Sequence, residues 1–163
     1  MSIIYHYQKM TKISFQCLAF EQLNIHQLYR IMALRQEVFI VEQNCPYQDA
    51  DGKDQKAFHL LGLDENGVCI AYARLMPRGL SYEDYTAIGR VLTAPQARGL
   101  GLGKKLLTFA LNWMNKNFAA IPIKISAQCY LIRFYEEFGF QTIGESYLED
   151  NIPHIAMIRA VKL

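Results

Sequence analysis

Apolar and polar positions follow two different periods along the chain and predict three helices and seven strands. The first helix is predicted to begin after Asn24, its N-cap, because apolar residues then recur in steps of three and four: Leu28, Ile31, Leu34, Val38 and Val41. Two further helices are predicted over 104–118, whose apolar residues share one face, and over 131–138, ending at Gly139. Runs rich in β-branched and aromatic residues predict the strands, at 13–20, 58–63, 68–76, 87–93, 121–127, 141–148 and 154–161.

This order of elements predicts one α/β domain over residues 1–163, with a central mixed sheet flanked by helices (an α+β arrangement, not a doubly wound one). Turn residues at 64–67 join two of the strands into an antiparallel hairpin. Residues 43–56, rich in Asp with Pro and Gly, form a loop long enough to suggest a functional role. Residues 1–9 are interpreted as an N-terminal extension or an upstream start, because the first strand pattern follows Met10.

Composition limits the classes of partner. With 52% apolar residues, 20% charged residues and a net charge of +2, the sequence is typical of a globular protein and excludes a nucleic-acid-coating or disordered chain. The four cysteines lack the spacing of a zinc site or of a disulfide framework, so no metal is expected. No signal peptide or membrane-spanning stretch is predicted, which favours the cytoplasm.

The segment 95–105, between a predicted strand and an amphipathic helix, is the most informative about chemistry. Main-chain N–H groups at the start of a helix are unpaired and attract anions, and glycines let a phosphate approach them. A dinucleotide-binding GxGxxG fingerprint fails, because Lys104 or Leu106 stands where its third glycine belongs. A P-loop fails because Arg98 stands in place of its first glycine. A glycine-rich turn that binds no ligand remains an alternative.

The spacing Arg98-x-x-Gly101-x-Gly103 resembles the (Q/R)xxGx(G/A) motif of GNAT acetyltransferases. Residues 128–140 resemble a second segment of that family, in which an amide residue closes a strand and the following helix ends in FYxxxGF. Residues 34–52 and 152–157 are similar to the ElaA-like subgroup of the family. The resemblance therefore covers nearly all of the chain after Met10.

The resemblance implies acetyl-CoA as a cosubstrate, bound where the fourth and fifth strands, 87–93 and 121–127, run parallel and then splay apart. The pantetheine arm would lie along the main chain of Val91, Leu92 and Thr93, with Gln128 on the other side. The loop and the helix start would hold the pyrophosphate: Arg98, Gly99, Leu100, Gly101, Leu102, Gly103 and Lys104.

Acyl transfer to an amine needs a neutral nucleophile, a stabilised oxyanion and an acid that protonates the leaving thiolate. The resemblance assigns the acid, and contact with the cofactor, to Tyr135, for which a purely structural core aromatic is the alternative. A main-chain N–H near Val91 or Leu92 would stabilise the oxyanion.

The base is less clearly indicated by the sequence. Many relatives carry a carboxylate on the strand before the glycine loop, where this chain has Gly89 and Arg90 instead. The candidates are Glu42, His59 and His154, each with a structural role as its alternative, and a chain of water molecules is an equal competitor.

The predicted function is an acetyl-CoA-dependent N-acetyltransferase that acetylates a primary amine of a small molecule or peptide by direct attack in a ternary complex. A non-catalytic acyl-CoA-binding sensor is the alternative, since it would need neither Tyr135 nor an acceptor pocket. A binder of nucleotide phosphates is a third interpretation, and a homodimer stays open. Acidic residues that this fold can bring to the acceptor side predict a cationic acceptor, with local turn formation as their alternative role: Glu42, Asp49, Asp51, Asp54, Glu149 and Asp150.

Overall fold

One seven-stranded sheet organises the protein in the computed structural model, which describes residues 12–161. Its strands are β1 (Ser14–Ala19), β2 (Phe58–Leu63), β3 (Cys69–Met76), β4 (Thr86–Thr93), β5 (Ile123–Gln128), β6 (Gln141–Glu149) and β7 (Ile152–Arg159). They lie in the order β1-β2-β3-β4-β5-β7-β6, and every neighbouring pair is antiparallel except β4 and β5. The predicted mixed α/β sheet is confirmed; the interpretation of residues 1–9 concerns residues outside the described part.

Three helices accompany the sheet: α1 (Ile25–Arg35), α2 (Leu102–Asn117) and α3 (Ile132–Glu136). The predicted cap of α1 is confirmed, because the side-chain oxygen of Asn24 accepts a hydrogen bond from the Gln27 amide at 2.8 Å. The Gln27 side chain accepts one in return from the Asn24 amide at 3.0 Å, which completes a capping box.

A π-helical segment, Gln36–Glu42, continues α1 and changes which residues are buried. Leu34 and Val38 are buried as the apolar pattern predicts, but Val41 is 75% exposed, so its predicted place on the buried face is wrong. The physical reason is that a π turn contains more residues than an α turn, and a step of three no longer returns to the same face. Glu42, at the end of this segment, is exposed too.

α2 covers the centre of the sheet, where it packs on β3 and β4. Its buried face consists of Leu102, Leu106, Leu107, Ala110, Leu111 and Met114, and all eight residues of β3 are buried. Burial of a large aliphatic side chain stabilises a protein by roughly 1.5–3 kcal/mol, so this layer fixes the direction of α2. The glycine-rich loop that precedes α2 is thereby held near the carboxyl end of the central strand β4.

β4 and β5 part soon after they begin. They pair only at Thr86 with Ile123 and at Ala87 with Lys124, so the predicted splaying of the two parallel strands is confirmed. β4 also bulges against β3, where Arg90 and Val91 together face one residue, and Arg90 takes a φ of 53°. The result is a V-shaped opening bordered by main chain of β4 that lacks a strand partner on that side.

Six charged side chains anchor the long loop before β2 to the rest of the fold. We call them the Arg–Asp cluster: Arg35, Arg74, Arg90, Asp49, Asp51 and Asp54. At its centre the fully buried Arg35 contacts Asp49 and Asp54, each at 2.6 Å. Because charges withdrawn from water need opposite charges nearby, these contacts fix the loop against α1.

No helix within residues 12–161 is long and apolar enough to cross a membrane. The four cysteines are separate thiols, of which Cys45 and Cys69 are buried and Cys17 and Cys129 are half-buried.

The substitution Arg35→Met tests the Arg–Asp cluster. It should lower the free energy of unfolding by about 3–5 kcal/mol, because Asp49 and Asp54 each keep only one cation and the buried cluster is left with an uncompensated negative charge. Burial by itself would raise the pKa of Asp54, but its contacts with Arg35 and Arg74 outweigh burial and hold that pKa below its usual range. The stabilisation is therefore complete above pH of about 4 and is lost as pH falls through the depressed value.

Urea denaturation at pH 7 and at pH 3 measures both effects. The matched control is Arg78→Met, which removes an exposed pair with Asp84 and should change the free energy by less than about 1 kcal/mol. The role of Arg35 in the cluster would be contradicted if both variants lowered the free energy of unfolding equally. It would also be contradicted if the loss of free energy caused by Arg35→Met were as large at pH 3 as at pH 7.

Candidate active site

A cleft of about 690 Å³ occupies the opening between β4 and β5. Its walls come from β4, the second half of β5, the segment and loop between α1 and β2, the end of β3 and the segment before β4, α3 with the residues before it, and the turn between β6 and β7. The cleft brings together eight of the residues predicted for the site: Glu42, Val91, Leu92, Thr93, Arg98, Gln128, Tyr135 and His154. A single cavity of this size is within the range of small-molecule sites in proteins.

The glycine-rich loop lies at the protein surface next to Arg98, outside the walls of the cleft. Gly99 and Gly101 have φ angles of 79° and 68°, which explains the glycines, because other residues rarely adopt this conformation. The first helical hydrogen bond of α2 joins the Lys105 amide to the Gly101 carbonyl, so the three preceding N–H groups have no acceptor within the helix. These groups, on residues 102–104, form a surface that favours an anion.

Two predicted cofactor residues of the helix start have restricted roles. The side chain of Leu102 is 2% exposed and belongs to the core, so only its main chain is available to a ligand. The ammonium of Lys104 contacts the carboxylate of Glu137 at 2.5 Å. In this conformation neither side chain is free to bind the pyrophosphate.

Arg98 and Glu42 form a two-pronged ion pair that joins two walls of the cleft, with N···O distances of 2.8 and 3.0 Å. Arg35 and Arg74 do not contact Glu42, because they bind the aspartates of the Arg–Asp cluster. Both carboxylate oxygens of Glu42 are therefore occupied by Arg98 in this conformation, so Glu42 could act as the base only after this ion pair opens.

Tyr135 lies in the cleft wall with 7% of its surface exposed. Its ring packs edge-on against Phe134 and Phe140, at centroid distances of 5.2 and 5.8 Å. Burial, together with the neighbouring Tyr130, raises the pKa of Tyr135 to about 12. The ring is therefore part of the core, as the structural interpretation expected, while the phenol borders the cleft in its protonated form.

The two candidate histidines have different environments. His59 is fully buried and its ring nitrogens lie 2.8 Å from the Tyr72 hydroxyl and 2.9 Å from the Asp54 carbonyl. His59 as the base is therefore wrong, because both nitrogens are engaged and its ring is not part of the cleft wall. His154 lines the cleft, and its Nδ1 lies 2.7 Å from the Ile152 carbonyl oxygen. A carbonyl only accepts, so Nδ1 carries the proton and the neutral ring has its lone pair on Nε2.

Three of the predicted acidic residues do not supply free charge to the cleft. Asp49 contacts both Arg35 and Arg90 at 2.6 Å, and Asp51 and Asp54 contact Arg74 at 2.7 and 2.9 Å. Three arginines thus balance three aspartates, and the expectation that these aspartates attract a cationic acceptor is wrong. Simple turn formation is not the whole explanation either, because the carboxylates hold distant elements together.

A strip of polar side chains along β5 and β6 was missed by sequence reasoning. Ser126 donates to Glu149 at 3.0 Å, and the Tyr147 hydroxyl lies 2.5 Å from the same serine oxygen. The sequence contains a signal for it, because polar residues alternate with apolar ones along β5, at Ser126 and Gln128. The cleft also contains other residues that were not predicted, namely Lys53, Arg74, Ser81, Tyr82 and Tyr130. Within residues 12–161 no three metal-binding side chains lie close enough to hold an ion.

Known proteins match this geometry and sequence over most of the chain. The family model described as the acetyltransferase (GNAT) domain matches residues 19–161. Protein ElaA of Escherichia coli K12 is 40% identical over 151 residues, covering 91% of this chain and 97% of that protein. A UPF0039 protein of Synechocystis is 40% identical over 139 residues, covering 85% of this chain and 90% of that protein.

Solved structures agree with these sequence matches. An acyl-CoA N-acyltransferase from Pseudomonas aeruginosa superposes with a TM-score of 0.86 at 40% identity, over 91% of this chain and 100% of that chain. The crystal structure of Escherichia coli ElaA superposes with a TM-score of 0.85 at 39% identity, over 91% of this chain and 99% of that chain. The protein therefore belongs to the GNAT acetyltransferase family, whose members transfer acyl groups from acyl-CoA, and to its ElaA-like subgroup.

Proposed function

We propose that the protein is an acetyl-CoA-dependent N-acetyltransferase that acetylates a primary amine by direct attack in a ternary complex. The observation that carries this proposal is the cleft, a single cavity whose wall includes Arg98 and Val91–Thr93 as well as Tyr135 and His154. Direct transfer requires both substrates in one cavity at the same time, and a continuous cleft of about 690 Å³ accommodates this.

The cofactor would occupy the side of the cleft nearest the glycine loop. The free N–H groups of residues 102–104 suit its pyrophosphate, and Arg98 can join them once it exchanges the Glu42 carboxylate for a phosphate. The β4 main chain beyond Ala87 has no partner in β5, so a pantetheine arm can hydrogen-bond to it as an additional strand would. Gln128, which now donates to Gln43 at 3.2 Å, faces this path from β5.

Three groups of the chain would carry the chemistry. The Nε2 lone pair of His154 takes a proton from the ammonium and passes it to solvent, and the amine nitrogen then forms a bond to the thioester carbon. The nitrogen loses its second proton by the same route, and the carbon–sulfur bond breaks. A main-chain N–H at the Arg90–Val91 bulge would stabilise the oxyanion. Tyr135 would donate its proton to the departing thiolate and regain one from solvent.

A non-catalytic acyl-CoA sensor remains the alternative function. A sensor needs the glycine loop and Arg98 but has no use for an imidazole lone pair in the cleft or for a protonated phenol beside it. The surroundings of His154 and Tyr135 therefore support the enzyme. The Tyr135→Phe and His154→Gln variants below separate these two functions.

Replacement of Gly103 by valine tests the cofactor site. Gly103 lies in the first turn of α2, where an added Cβ would meet only the Phe134 ring, at 3.9 Å, so the fold should persist. The branched side chain should screen the free N–H groups and raise the dissociation constant of CoA at least about tenfold, the effect of losing one or two charge-assisted hydrogen bonds. Gly101→Val is less suitable, because its φ of 68° strains any β-branched residue.

Isothermal titration with CoA measures the effect. Thr108→Val, a nearly isosteric change on the exposed face of α2, should keep wild-type affinity. If a folded Gly103→Val protein binds CoA as tightly as wild type, the glycine loop is not part of the cofactor site.

Tyr135→Phe tests the acid. It should lower kcat by one or two orders of magnitude with little change in CoA affinity, because the ring still packs while the transferable proton is gone. Since the pKa of Tyr135 is raised to about 12, the phenol keeps its proton, and its deprotonation should not lower wild-type kcat at any pH below about 10. The control is Tyr29→Phe, at a residue that is 79% exposed and outside the cleft. An unchanged kcat under conditions where chemistry limits the rate would return Tyr135 to a structural role.

His154→Gln tests the base. It should lower kcat/KM at neutral pH by roughly a hundredfold, because the variant has no imidazole lone pair to take the proton. Residual activity should rise with pH as the amine loses its proton to water. His26→Gln, on the exposed start of α1, is the control. If Glu42→Gln abolishes turnover and His154→Gln leaves it intact, the base is Glu42.

A further inference from the structure

Part of the cleft wall belongs neither to the glycine loop nor to the β4 segment assigned to the cofactor. We call it the acceptor chamber and define it by Lys53, Ser81, Tyr82, Ser126 and Glu149. These residues come from the loop before β2, the segment before β4, and strands β5 and β6. Their charges indicate what kind of amine fits.

Most charged side chains of the cleft already have partners. The Arg–Asp cluster is balanced, and Arg98 binds Glu42. Among residues 12–161, Lys53, Glu149 and Asp150 are the charged side chains of the cleft wall that form no ion pair. Uncompensated charge of both signs therefore borders the same cavity.

Lys53 provides the positive charge. Its ammonium donates to the Ser81 hydroxyl at 3.2 Å, which uses one of its three N–H donors. Arg74 belongs to the same wall, and its buried Nε is the side-chain nitrogen without an acceptor in the described part of the chain. A wall with surplus donors and an unpaired ammonium suits a carboxylate.

Glu149 provides the negative charge beside the proposed base. It accepts a hydrogen bond from Ser126 at 3.0 Å, and Ser126 also contacts the Tyr147 hydroxyl. Tyr147 lies directly opposite His154 in the pairing of β6 with β7, and their rings stack at 6.2 Å. An ammonium attracted by Glu149 is therefore held close to the imidazole that removes its proton.

Tyr82 connects the two charged walls. It follows Ser81 in the chain, and its pKa is raised by burial and by the nearby Tyr147 and Glu149. Its ring also lies under the Lys124 ammonium, 4.7 Å from the ring centroid, which fixes its position. The Lys53–Ser81 wall and the Glu149 wall thus face one chamber.

Resting on the proposed function, we propose that the acceptor is an amino acid, whose carboxylate binds Lys53 and Ser81 while its amine lies between Glu149 and His154. A polyamine would place a second cation near Lys53 and be repelled, and an amine without a carboxylate would leave the Lys53 ammonium unpaired. The carboxylate contact gives specificity, because a site built for a charged group discriminates against analogues that lack it.

Matched pairs of acceptors test this. Leucine, lysine and 6-aminohexanoate are compared with isopentylamine, cadaverine and pentylamine, which differ from them by the loss of the carboxyl group. Release of CoA thiol from acetyl-CoA gives kcat/KM for each. At least one amino acid should exceed its matched amine about tenfold or more, the usual value of a charged hydrogen bond.

Two variants with matched controls assign the contacts. Lys53→Met should bring the ratio of kcat/KM between acid and amine close to one, whereas Lys56→Met, at an exposed lysine outside the cleft wall, should keep it. Glu149→Gln should lower kcat/KM for both members of a pair, because the amine is common to them. Glu145→Gln, on the same strand but outside the cleft wall, is its control.

Calorimetric titration of the same acceptors into the CoA complex separates failure of this inference from failure of the proposed function. If amines are acetylated as fast as the amino acids, or if the preference for amino acids survives Lys53→Met, the amino acid inference is overturned while the proposed acetyltransferase function stands. CoA binding without thiol release from any acceptor would overturn the enzyme. In that case, binding of an amino acid that depends on Lys53 would still support the chamber as an amino acid site. If no such binding were seen, the inference would be refuted as well.

Discussion

The separation of β4 from β5 is the constraint on which the rest of the site depends. Two parallel strands that pair only at their first two positions leave main-chain donors and acceptors of β4 without a partner, and such groups must be satisfied by water or a ligand. The bulge at Arg90 and Val91 adds to this by directing main chain into the opening. The glycine loop and α3 then lie at its edges, so that the proposed cofactor and acceptor sites share one cavity.

The Arg–Asp cluster holds the acceptor side of that cavity in place. Buried ion pairs contribute little net stability compared with apolar packing, but removal of one partner is costly, so the cluster tolerates few alternative arrangements. It attaches the loop before β2 to α1 through Arg35 and to the wall of the cleft through Arg74 and Arg90. Its six charges compensate one another, so the charged side chains of the cleft wall without an ion pair, among residues 12–161, are Lys53, Glu149 and Asp150.

Local sequence signals identified much of the fold. The Asn24 cap, the strand bounds to within two residues and the glycine loop before α2 all depend on neighbours within a few positions. The same holds for the family motifs, which are short segments. Glu42, Tyr135 and His154, the candidates for the chemistry, all line one cleft, because the topology of the sheet brings together residues that are far apart in the chain.

The sequence by itself thus determined the order of elements, the anion-binding loop and the family, because hydrophobic periodicity, turn chemistry and motif spacing are local properties of the chain. Tertiary structure alone decided which charges are free. Asp49, Asp51 and Asp54 meet arginines from 14 to 41 positions away, and Glu42 meets Arg98 56 positions away. Electrostatic attraction acts through space rather than along the chain, so no local pattern distinguishes a neutralised aspartate from Glu149, which remains uncompensated in the cleft.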